Sequence, residues 1–189
     1  MLAAMNHKTL AALETGLAGI LQSPKDNGIV ALIVCRPGVG KRKILEQGTL
    51  DIGEGLIGDT WQERGSTRTA DGSAHPEMQL TIMNSRVTAL VAASRAQWPL
   101  AGDQIYLDMD ISQTNLPPGT RLQLGTAVVE ISSIPHTGCK KFVERFGADA
   151  MKFVNSPRGK TLGLRGVNAR VVKSGLVSTG DAAKKISSI

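Results

Sequence analysis

The sequence predicts a mainly β protein: a closed β-barrel with α-helices outside it. Three observations carry this. Many short runs rich in β-branched residues are separated by tight glycine turns. Long amphipathic helices are few. The helical segments also fail to alternate regularly with the strands, which argues against a doubly wound parallel sheet.

Taken in order, Leu10, Leu13, Leu17, Ile20 and Leu21 form one apolar stripe at three- and four-residue steps, so a helix is expected there, stopped by Ser23-Pro24. Residues 1–28 are read as a helical segment packed on a barrel that spans 29–189. After the turn PKDNG, the run GIVALIVCR is a buried strand. Cys35, near its end, reads as packing, because free cysteine is among the most buried residue types. RPGVGKRK is a turn between strands. A phosphate loop would need glycine where Cys35 stands and a hydroxyl residue where Arg42 stands.

KILEQGTLDI is the next strand and leads into the glycine-rich GEGLIGDTWQERGS, where Asp59 sits between Gly58 and Thr60. The polar stretch Thr67 to Pro76 reads as a mobile loop. MQLTIMNS alternates as a strand, and Asn84 or Ser85 caps the helix RVTALVAAS. A strand in WPLAGDQIYLDMDIS is entered through a Gly-Asp turn. TRLQLGTAVVEISSI gives two strands around Gly125, and GCKKFVERFGADAMKFV a helix broken at Gly147. GLRGVNARVVKSGLVSTGD closes with a strand, a turn at Ser174-Gly175 and a last short strand ending in Gly180-Asp181.

Composition narrows the function. With 189 residues, 41% hydrophobic and 20% charged, the chain matches an ordinary globular domain, and at 3% aromatic its core must be aliphatic. No apolar run approaches the roughly 18 residues of a membrane span, and the N-terminus lacks a secretory pattern. Two cysteines far apart make no disulfide framework, so a reduced, cytoplasmic setting is expected. The net charge is +6. Eight basic residues against Glu144 and Asp149 lie between Pro135 and Arg170, so this stretch carries the whole excess. Such a concentration attracts an anion. The scarcity of aromatics removes the stacking platforms that single-stranded nucleic acid binders use.

The stretch SSIPHTGCKKF holds the candidate for chemistry. Cys139 follows a strand and sits where a helix begins, so the helix dipole, Lys140 and Lys141 all favour its thiolate. His136, three residues back, can accept a proton or orient a ligand, and Thr137 stands beside it. Zinc is not indicated: His7, His75 and His136 form no ligand pair at short spacing, and the other cysteine is remote. Asp59 either caps a turn or faces a ligand.

GLIGDTW, LPPGTRLQLGTAVVEISSIPHTGCKKF and LRGVNARVVKSGLVSTGD together resemble the successive signatures of the MOSC domain, named for the C-terminal part of molybdenum cofactor sulfurases. The resemblance runs from about Ile29 to Asp181. It implies a closed barrel of the pyruvate-kinase-barrel kind. It also implies that Cys139 either carries sulfur as a persulfide or ligates molybdenum in a bound molybdopterin. The implied site comprises Gly58, Asp59, His136, Thr137, Lys140, Lys141, Arg165, Asn168 and Arg170. Among these, Lys140, Lys141, Arg165 or Arg170 is expected to take the pterin phosphate.

The sequence departs from the family pattern in two places. AGDQIYLDMDIS replaces an acidic Gly-Glu-Asn-Leu type segment, and Thr60-Trp61 follows the aspartate where relatives have a basic residue and histidine. No pyridoxal-phosphate desulfurase domain is present within the sequence, so sulfur would come from a separate cysteine desulfurase. Stand-alone relatives imply a molybdenum-dependent reductase of N-hydroxylated compounds, served by an electron-donor protein. The alternative is a non-catalytic carrier that delivers the cofactor.

Overall fold

A computed structural model describes residues 7–186. In chain order the elements are α1 (Leu10–Leu21), β1 (Gly28–Cys35), β2 (Lys43–Leu45), β3 (Gln47–Asp51), β4 (Gly55–Leu56), α2 (Trp61–Arg64), β5 (Leu80–Asn84), α3 (Ser85–Val91) and β6 (Ile105–Asp108). There follow β7 (Arg121–Leu124), β8 (Ala127–Ile131), α4 (Lys140–Asn155), α5 (Pro157–Thr161), β9 (Val167–Lys173), β10 (Gly175–Ser178) and β11 (Ala182–Ile186). Short 3-10 turns cover Pro76–Met78 and Arg95–Ala101.

Seven strands close into a barrel. The ring runs β1, β6, β5, β9, β8, β7, β11 and returns to β1, where Gly28 faces Ala183. The pair β5–β6 is parallel and the others antiparallel, so the barrel is mixed. The closed mainly-β barrel with peripheral helices is therefore the architecture of this chain. β2 flanks β1, and β10, β3 and β4 form a second small sheet.

Strand alternation divides the core in two. On β1, Ile33 and Cys35 join the barrel interior with Ile82, Ile105, Val129 and Val171. Leu32 and Val34 face outward with Met83 of β5 and Tyr106 of β6, and this face joins one outer cluster with Leu13 of α1, Val87 of α3 and Phe142 of α4. All three phenylalanines, Phe142, Phe146 and Phe153, lie on α4 and are buried in this outer layer. α1 adds Leu13, Leu17 and Ile20, and its start is capped by the Thr9 hydroxyl, which accepts from Ala12 N–H.

Three elements depart from the sequence reading. The last strand does not end at Gly180-Asp181; β10 stops at Ser178, and the following turn leads into β11, which completes the ring. α5 also goes unmarked in the sequence, because its start rests on one local cap, Ser156 Oγ accepting from Gly159 N–H at 2.9 Å. The strand read as KILEQGTLDI divides at Glu46, and its halves serve different sheets. In 67–76, Ser66 N–H donates to Gly72 O at 3.2 Å and Gly72 N–H to Thr69 O at 3.3 Å.

Candidate functional site

Residues 132–139 leave β8 and cross one barrel mouth to reach α4. Their path is fixed from both ends. Ser132 N–H donates to Asn168 O, Ile134 N–H to the Ser132 hydroxyl, and the Asn168 amide to Ile134 O at 3.0 Å. At the far end Gly138 is held by Asn155. Cys139 then N-caps α4 with extended backbone (φ −125°, ψ 176°), and its thiol is exposed and makes no capping bond. Lys140 and Lys141 are exposed beside it.

This crossing segment separates two hollows, and His136 lines both. The smaller is a polar recess of about 230 Å3 that includes Arg36, Arg64, His75, Thr81 and Asn168. The larger, about 510 Å3, is walled by aliphatic residues together with Thr137, Lys160 and Arg165.

Behind the recess the charge is mostly positive. Arg36 grips Asp59 through Nε–Oδ2 at 2.8 Å and Nη2–Oδ1 at 2.9 Å, while its backbone N–H donates to the same carboxylate. Arg64 stands 3.6 Å from Asp59 Oδ1 with its side chain half exposed. Burial first, then repulsion from neighbouring guanidinium groups, holds Arg42 and Arg64 below the ordinary arginine value. Arg36, Arg42 and Arg64 thus gather around one carboxylate, and Arg145 adds positive charge beside Arg42.

A buried polar group lies against the outer layer, beside Met83, Ala101 and Phe142. Arg165 Nη1 donates to both Asp103 oxygens, at 3.1 and 2.8 Å, and Nη2 to Ala101 O. Burial raises the Asp103 carboxyl, and Arg165 opposes that rise. His136 Nδ1 is 3.5 Å from Asp103 Oδ1 without forming a hydrogen bond. Burial, then Arg165 and Arg36, push His136 well below the usual histidine range, so the imidazole is neutral at pH 7. Three buried polar atoms here have no hydrogen-bond partner: His136 Nδ1, Arg165 Nε and Asn168 Oδ1. Orphans of this kind are rare and mark places where a partner from outside belongs.

The sequence-predicted residues therefore fall into separate groups. His136 and Asn168 meet at the polar recess, and His136, Thr137 and Arg165 at the larger cavity. Cys139, Lys140 and Lys141 mark the exposed start of α4 and line neither hollow. The Asp59 side chain is wholly buried and holds Arg36; its N–H closes a turn to Leu56 O in which Gly58 takes a left-handed φ of 83°. Arg170 lies apart, paired with Glu130 at 2.7 Å. Arg36, Arg64, His75 and Asp103 escaped the sequence reading. Arg36 and Arg64 lie outside the basic stretch, and what joins them is Asp59, 23 positions from Arg36 and in the turn just before Arg64. Among the described residues no group of three or more His, Cys, Asp or Glu can hold a metal ion. No described helix is long and apolar enough to cross a membrane.

The chain resembles several solved structures. The YuaD protein of Bacillus subtilis is 16% identical, with a TM-score of 0.65 over 86% of this chain and 97% of that one. YiiM of Escherichia coli is 18% identical, with a TM-score of 0.53 over 85% and 71%. YiiM of Geobacillus stearothermophilus is 13% identical, with a TM-score of 0.52 over 85% and 74%. Among curated proteins none matches. The family model for the MOSC domain matches residues 69–184, most of the barrel and all of the Cys139 segment. The chain belongs to the MOSC domain family, whose members are associated with the molybdenum cofactor.

Proposed function

We propose that this chain binds a molybdenum pterin cofactor at the polar recess, and that Cys139, at the exposed start of α4 outside both hollows, is the protein's ligand to the metal where the cofactor extends beyond the recess. One observation carries the reading: an exposed cysteine ends a fixed segment, and His136 of that segment and Asn168 of β9 keep unpartnered polar atoms beside an arginine-lined recess. The residues suit the group. Asn168 Oδ1 offers an acceptor to pterin N–H groups, and the neutral His136 adds a ring nitrogen without adding charge. Arg64, half exposed and only loosely tied to Asp59, is our candidate for the phosphate, whereas Arg36 is buried and committed to Asp59 and Gly102 O. A single soft thiolate fits a metal whose other ligands come from the pterin. When bound, the cofactor supplies two-electron redox chemistry. The chain contributes binding, charge and a positioned thiolate.

A second reading rests on the exposure of Cys139. A thiol reachable from outside can attack the outer sulfur of a desulfurase persulfide, forming a new S–S bond and releasing the donor's thiolate. The test is metal, pterin and sulfane-sulfur analysis of protein purified without oxygen, as wild type, Cys139→Ser and Arg64→Glu. Co-purifying molybdenum and pterin, lost in both variants, supports the cofactor reading. Sulfane sulfur on Cys139 without pterin supports the carrier. Turnover of an N-hydroxylated substrate with an electron donor separates a reductase from a delivery module.

A further inference from the structure

The larger cavity is built differently from the polar recess. Leu116, Ile131, Ile134, Val154 and Val167 give it aliphatic walls, and its volume of about 510 Å3 suits a small organic molecule. No Asp or Glu lines it among the described residues. Its formal charges are both positive. Lys160 is exposed at the rim with no ion pair among the described residues, and Arg165 is buried with Nε–H unpartnered after Asp103 has taken Nη1. His136 lies between this cavity and the recess, so a molecule in the cavity is one residue's thickness from whatever the recess holds.

We propose that this cavity is a binding site for a small apolar organic acid, with its hydrocarbon body against the aliphatic walls and its carboxylate toward Lys160. Desolvating the hydrocarbon supplies affinity without strict shape. A single ammonium without a counter-ion selects one negative charge rather than a polyanion. Binding stands on this chain's own residues. That the acid is the substrate of chemistry at Cys139 rests on the cofactor reading above.

The test uses the full chain without cofactor, titrated with 4-phenylbutyrate and, as its neutral counterpart, 4-phenylbutanol, followed by calorimetry and by amide NMR shifts. The acid is expected to bind at least about tenfold more tightly than the alcohol. Shifts should centre on Thr137, Gly163 and Gly166. Lys160→Gln should remove most of that preference and leave alcohol binding unchanged. Ser133→Trp and Gln113→Trp, both at exposed rim positions, should each block both ligands. Equal affinity for acid and alcohol, binding that survives both tryptophans, or no binding at all would overturn the proposal. Cys139→Ser leaves acid binding unchanged in every case. A protein that binds the acid but retains no pterin would therefore defeat the cofactor reading and leave this site standing.

Discussion

Asn155 ties the end of α4 back to Gly138, the residue before the helix's own N-cap. Its Oδ1 accepts from Gly138 N–H at 2.9 Å, and its Nδ2 donates to Gly138 O at 3.3 Å. Both polar groups of Gly138 are thereby held, and Cys139 is the next residue. The contact is possible because α4 bends at Gly147, where φ is 89°. Asn155→Ala should loosen the approach to Cys139 with little change at Cys35. Alkylation of Cys139 should change by several-fold while the unfolding free energy falls by about 1 kcal/mol. Unchanged Cys139 reactivity would show that Asn155 does no positioning.

The two cysteines should separate by reactivity. Cys139 is exposed, whereas Cys35 is buried in the barrel and its thiol is raised by burial first and by the Asp59 charge second. Alkylation with limiting reagent near neutral pH should label Cys139 first, read by mass spectrometry. Cys139→Ser should keep the fold, because the side chain touches no core. Cys35→Ser should cost roughly 1–3 kcal/mol, since its hydroxyl would enter an apolar interior.

Asp59→Asn should destabilise the protein by about 3 kcal/mol or more in urea unfolding. The change leaves Arg36, also buried, without its counter-charge. Arg36→Gln added to it should recover part of the loss. A double variant no better than Asp59→Asn alone would mean that the charge imbalance is not the cause.

His136 sets a pH dependence with a definite sign. Its folded pKa is well below 6.5, so between that value and 6.5 the unfolded chain binds more protons than the folded one. Stability then rises with pH across this window and is lost as pH falls below about 6.5, by up to about 1.4 kcal/mol per unit. Glu130, lowered by Arg170 and Arg121, adds an acid-side loss only below its ordinary value of 4.5. Chemical denaturation at pH 5.0 to 7.0 should show a positive slope, and His136→Gln should flatten it. Equal slopes in the two proteins would exclude His136 as the source.

Local signals carried much of the architecture. The Leu10–Leu21 helix, the Asn84 cap, the Gly125 turn and the Gly147 break are each written within a few residues, and the structure places them as read, although Leu21 of the expected apolar stripe is exposed. Family resemblance supplied the identity of the barrel. β11 was not legible because AAKKI has a weak strand pattern, and it is a strand through pairing with β7 and β1. The grouping of the candidate site was hidden for the same reason. Arg165 and Arg170 look alike five residues apart, yet one meets Asp103 in the interior and the other Glu130 at the surface. Those partners are 62 and 40 positions away.

The closure of the ring has a kinetic consequence. β1 and β11 lie at opposite ends of the barrel sequence, so the seam between them is the last to become available as the chain is synthesised. Until β11 arrives, β7 and the Gly28–Ile29 end of β1 each present an unpaired backbone edge, the kind of edge through which incomplete sheets join one another. A topology dominated by such distant pairings folds slowly, on the scale of milliseconds to seconds. The loss of one unremarkable strand would thus do more harm through aggregation of the open sheet than through the few contacts removed.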